Sequence, residues 1–155
     1  MRQINEIIIH CSANGPTSKM RAADIKRYHM QERGWDRIGY HYVIPRDGTL
    51  EVGLAEEVAG IHCSGHNAKS IGVCLVGGIQ DGKGGDANQD GLIEDWENKK
   101  KGQPEANYTP VQWATLKKLI QQLREKYPGA SVHGHNEFAN KACPCFFVKD
   151  WLKEM

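Results

Sequence analysis

The chain has 155 residues, enough for one domain with a proper core, and its composition is that of an ordinary soluble globular protein. A net charge of +1 excludes a general attraction to nucleic acid or to an anionic membrane surface. No apolar run reaches the length of a membrane span, and the start of the chain reads as a strand rather than a signal peptide, so synthesis in the cytoplasm is expected. The five cysteines are an odd number, which argues against a disulfide framework and for a reducing compartment.

In chain order, the β-branched run over 4–10 predicts a buried strand, with His10 and Cys11 on opposite faces, so that a site at His10 leaves Cys11 to the core. Thr17 or Ser18 is placed to cap a helix over about 20–32, ended by Gly34. The segments 40–44 and 49–53 flank Arg46-Asp47-Gly48 and read as a hairpin. Residues 70–77 are apolar enough for a central strand, with Cys74 in the core. A helix begins at Thr109, with Pro110 in its first position and Gln112 completing a capping box. Leu116, Leu119, Ile120 and Leu123 make its apolar stripe. A short strand over 131–135 and a helix over about 146–154 complete the chain. Alternating strands and helices with one hairpin predict a single α/β domain, a central mixed sheet flanked by helices. The segment 78–108 is too long and polar for an ordinary connection.

Residues 133–145, HGHNEFANKACPC, gather two histidines, a lysine and two cysteines. Histidine nitrogen and cysteine sulfur are zinc donors, and a catalytic zinc uses three protein ligands. His10, at the end of the first strand, is the candidate for the ligand this cluster lacks. On spacing alone, these residues are either a zinc site or unrelated, because the multi-cysteine pattern of a structural finger is absent. Tyr40 and Lys141 are likewise open between a role in a site and the plain alternatives of a core aromatic and a solvated charge.

Four segments in the right order, IIIHCSA (7–13), GWDRIGYHYVIPRDGTLEVG (34–53), HNAKSIGVCLVGG (66–78) and HGHNEFANKACPCF (133–146), resemble the type-2, zinc-dependent N-acetylmuramoyl-L-alanine amidases. The phage lysozyme amidases are the nearest branch, and the superfamily includes the peptidoglycan recognition proteins. The resemblance spans nearly the whole chain and departs from it at an insert over about 80–106. It implies zinc on His10, His135 and Cys143, with His133 a neighbour or substrate contact and Cys145 a small packing residue. It also implies catalytic roles for Tyr40, which would orient water or relay a proton, and Lys141, which would hold the developing oxyanion. His41 and His62 match segments near the family's groove and are candidate substrate contacts. The implied reaction is hydrolysis of the amide between N-acetylmuramic acid and L-alanine. The implied partner is peptidoglycan or muropeptides, engaged by a monomer. A phage or prophage endolysin acting on the cell wall, a cytosolic muropeptide-recycling amidase and a non-catalytic recognition module are the settings left open. The presence of all three ligands favours an enzyme.

The insert carries a second metal motif. Asp86, Asn88, Asp90, Glu94 and Glu97 occupy positions 1, 3, 5, 9 and 12 of a twelve-residue loop, with Gly91 at position 6 and the Leu92 carbonyl at position 7. That is the pattern of an EF-hand calcium loop, although GGIQDGKGG ahead of it is a poor helix. The plain alternative is a solvated acidic linker. If the loop holds calcium, EGTA lowers the melting temperature and leaves zinc in place. Calcium that changes neither melting nor proteolysis within 80–106 would eliminate the motif.

Overall fold

The computed structural model describes residues 2–80 and 104–155. The proposed calcium ligands Asp86, Asn88, Asp90, Leu92, Glu94 and Glu97 lie outside the described residues. Five strands form one sheet in the order β3-β2-β4-β1-β5. Strand β1 (Glu6–Cys11) is an inner strand and pairs in parallel with the central β4 (Ser70–Leu75) on one side and with the edge strand β5 (Ser131–Gly134) on the other. β2 (Tyr42–Ile44) runs parallel to β4, and β3 (Glu51–Val52) closes the edge as the antiparallel arm of a hairpin. The hairpin turns at Pro45–Gly48, where the Gly48 N–H reaches the Pro45 carbonyl at 3.0 Å and Gly48 takes a φ of 80°. The mixed α/β sheet expected from the sequence is present.

Helices cover both faces, because a parallel sheet has apolar residues on both. On one face Ile7, Ile9, Ile71, Val73 and Leu75 meet Leu116, Leu119, Ile120 and Leu123 of α2 (Pro110–Lys126) and Val148 of α3 (Val148–Lys153). On the other, Val43, Cys74 and Val76 meet Ile25 and Tyr28 from α1 (Ala22–Arg27) and the π-helical stretch Tyr28–Glu32 that continues it. Cys11 belongs to the first face, as its alternation with His10 requires. Among the described residues, no helix is long and apolar enough to cross a membrane.

The start of the first helix differs from expectation. Neither of the two residues anticipated as its cap sits at the N-cap, which is Arg21. The Ser18 hydroxyl instead accepts from the Met20 N–H at 3.2 Å. The Arg21 N–H donates to Asp24, and the Ala22 N–H donates to Glu51 of β3 at 2.8 Å. A carboxylate from the sheet edge thus satisfies a helix-end donor that local sequence left open.

The capping box of α2 forms as expected and reaches further. Gln112 is fully buried. Its Oε1 accepts from the Thr109 N–H, and its Nε2 donates to the carbonyls of Ile44 and Val76 at 3.0 and 2.9 Å. One side chain therefore caps the helix and fastens it to the ends of β2 and β4. Gln112→Leu removes one of two donors from each carbonyl, leaving the Val76 N–H on Ile44 and the Arg46 guanidinium on Val76, together with half the cap, and should lower stability by about 1–3 kcal/mol, read from the urea midpoint at unchanged m-value. An unchanged midpoint would mean that Gln112 does not fasten the helix.

Candidate active site

The cleft lies at the carboxyl ends of β1 and β5. It has a volume of about 780 Å³, and His10, Tyr40, His62, His135, Lys141 and Cys143 are among the residues that line it. His10 is the penultimate residue of β1 and is buried on the α1 side of the sheet. His135 does not extend β5, as the sequence suggested. The strand ends at Gly134, and His135 opens a one-turn 3-10 helix, His135–Glu137. Glu137 stabilises that turn by accepting the Gly134 N–H at 2.8 Å. His133 and His135 are thereby separated, and the His10 and His135 rings come within 4.6 Å between centroids.

Cys143 arrives from the loop before α3, and its sulfur accepts the Cys11 N–H at 3.1 Å. The donor atoms of His10, His135 and Cys143 all lie within 4.8 Å of one another, the one group among the described residues with the donors and spacing to hold a metal ion. Two nitrogens and one sulfur in that compass fit tetrahedral zinc with bonds of about 2.0–2.3 Å and one position left to the cleft. Burial holds His10 well below the ordinary imidazole range, aided by His62, His135 and Lys141, and burial and Lys141 also lower His135. Both histidines are thus neutral, the form in which imidazole binds a metal.

Tyr40 is half-buried, with its ring 5.2 Å from that of His10. Burial, together with the thiols of Cys74, Cys143 and Cys11, pushes its phenol well above the usual range, so the hydroxyl keeps its proton. Lys141 is exposed at the rim.

The other histidines separate. His41 is fully buried and is not brought to the cleft where its sequence segment suggested a substrate contact. Its Nδ1 accepts the Gly72 N–H at 3.0 Å, so Nε2 carries the proton and donates to the Val58 carbonyl at 2.7 Å. His133 also lies outside the cleft lining, held by Glu137 at 2.8 Å and Ser131 at 2.6 Å. His62 does line the cleft, and its Nδ1 is 2.8 Å from His10 Nε2, a contact 52 residues apart that no spacing announces. Cys145 turns away from the donor cluster; its φ is 71°, and its thiol lies 3.2 Å from the Gly78 carbonyl and 3.9 Å from the Cys11 thiol.

The arrangement sets three donor atoms suited to a metal ion at the floor of a cleft, with a cation at its mouth and a protonated phenol on its wall. The sequence matches the N-acetylmuramoyl-L-alanine amidase family over residues 1–146. It is 42% identical to the endolysin of Escherichia phage T7 over 148 residues, covering 96% of this chain and 85% of that one. Among solved structures, the endolysin N-acetylmuramoyl-L-alanine amidase LysCS from Clostridium intestinale superposes with a TM-score of 0.67 at 26% identity, covering 92% of this chain and 76% of that one. Drosophila peptidoglycan-recognition protein LB shares the fold, with a TM-score of 0.65 at 24% identity, covering 93% of this chain and 76% of that one. The chain belongs to the N-acetylmuramoyl-L-alanine amidase family, and it is an enzyme of that class.

His29 stands behind Tyr40, its ring 5.5 Å away, and its Nδ1 accepts the Gly39 N–H at 2.9 Å. Burial, with Arg33 nearby, lowers it from 6.5 to about 4. The unfolded chain therefore binds the extra proton first as pH falls. Stability contributed by neutral His29 is complete above pH 6.5 and is lost progressively down to about pH 4, on the order of 3 kcal/mol in all. His29→Asn retains an acceptor without titrating, so its stability should fall less steeply than wild type across that window. Parallel pH profiles would sink the assignment.

Proposed function

We propose that this enzyme hydrolyses the amide between N-acetylmuramic acid and L-alanine in peptidoglycan, with zinc on His10, His135 and Cys143. In this reading it is a wall-lysing enzyme of the phage endolysin kind, made in the cytoplasm. Residues 1–155 are one amidase domain with an insert over about 80–106. The observation that carries the reading is the convergence of those three donor atoms within 4.8 Å at the floor of a cleft also lined by Tyr40 and Lys141. The likeness to the phage T7 endolysin supports the biological setting.

Zinc, when bound, supplies Lewis acidity to a carbonyl and makes water a stronger acid. The chain supplies the rest. The Lys141 ammonium stands at the cleft mouth, where it can meet the negative charge that develops on the carbonyl oxygen. The Tyr40 hydroxyl, kept protonated, orients water and passes a proton towards the departing amine of L-alanine. Two of the ligand side chains are already neutral imidazoles, and the Cys143 thiol, pushed well above its usual range by the Cys11 contact and by burial, is the one that must lose a proton to bind the metal. The peptide leaves with a free amino terminus, and the glycan keeps its lactyl carboxylate.

Purified peptidoglycan treated with the zinc-loaded protein should yield L-alanine-terminated peptides by mass spectrometry. Cys143→Ser should keep its far-UV circular dichroism and lose both zinc and peptide release. Lys141→Ala should reduce kcat by about 10²–10³ with zinc retained, corresponding to about 3–4 kcal/mol of oxyanion stabilisation. Peptide release by Cys143→Ser at the wild-type rate would overturn the ligand assignment.

A further inference from the structure

On the reading that His10, His135 and Cys143 hold zinc, we infer that His62 is the positioning residue for His10: it accepts the His10 Nε2–H and so commits Nδ1 of His10 to the metal. His10 Nε2 and His62 Nδ1 are 2.8 Å apart, and the two rings meet edge to face, 4.9 Å between centroids with an interplanar angle of 87°. With one nitrogen of His10 engaged, the other is the atom left to ligate. A ligating histidine is held in tautomer and orientation by a fixed acceptor on its far nitrogen.

The His62 ring is itself built into place. Its Nε2 is 3.0 Å from the Ser70 hydroxyl, so a proton on Nε2 leaves Nδ1 as the acceptor that His10 needs. The main-chain N–H groups of His62 and Cys63 both donate to Asn67 Oδ1 at 2.9 Å, which fixes the backbone beneath the ring. Two glycines make room for it. A Cβ at Gly72 would lie 2.8–2.9 Å from three His62 ring atoms, and a Cβ at Gly60 would lie 2.8 Å from its Cδ2. Gly72 stands opposite Ile8 in the register of β4 on β1, so the bare backbone of β4 forms a seat beside the ligand strand. Both ring nitrogens of His62 are therefore occupied within the protein. It lies outside the donor cluster itself.

The test is zinc affinity, measured by competition with a chromophoric chelator, alongside melting of the zinc-free proteins. His62→Leu removes the acceptor and should weaken zinc binding by about 10–100-fold. His62→Asn puts an amide oxygen near the old Nδ1 position and should recover most of that loss. Ser70→Ala should fall between, and it carries the test with His62→Asn if the leucine variant does not fold. Wild-type affinity in His62→Leu or in Ser70→Ala overturns the inference. So does an asparagine variant as weak as the leucine one at equal zinc-free melting. If wild-type protein binds no zinc, the metal reading falls and takes this inference with it. If zinc binds and is lost in Cys143→Ser but is unaffected by His62→Leu, the inference alone falls.

Discussion

Everything at the site depends on the parallel register of β1 between β4 and β5. Glu6 pairs with both Ser70 and Ser131, and from there the three strands advance together towards one edge of the sheet. Ile9 stands opposite Gly134, so the chain leaving β5 delivers His135 beside the end of β1, where His10 already faces the cleft. Open α/β sheets bind ligands at the carboxyl ends of their strands for this reason. A slip of one residue would turn His10 into the packed face and bring Cys11 out, which makes the register a chemical specification as well as a structural one.

Burial then sets the protonation states. His10, His62 and His135 are all lowered chiefly by desolvation, so the cleft floor is lined by neutral imidazoles instead of mutually repelling cations. The same desolvation keeps the Tyr40 hydroxyl intact. Lys141 remains out at the rim, where its charge is solvated, and acts on the interior as a nearby positive field. The site thus divides into a neutral, donor-rich interior and a charged mouth.

The elements legible in the sequence are those whose determinants are local. Thr109, Pro110 and Gln112 announce α2 because capping is settled within one helical turn. The α1 start was not legible, because the acceptor for the Ala22 N–H is Glu51, 29 residues away. The sequence places His135 on the strand, because nothing in the alternation signals that Glu137 caps a turn at Gly134. Among the histidines, resemblance to a family brought out His10 and His135. It did not separate His41, which spends both nitrogens on β4 and the 58 carbonyl, from His62, which faces His10. Those fates are decided by which backbone groups lie opposite, a property of the sheet and not of the spacing.

The contact between the Cys11 N–H and the Cys143 sulfur joins residues 132 apart. Chains are made from one end, and non-local contacts can form only once both partners exist. His10 is synthesised well before Cys143, so the two can meet only after the whole span between them has been made. A chain ended anywhere before Cys143 lacks the sulfur that the Cys11 N–H holds, and with it the third corner of the donor cluster.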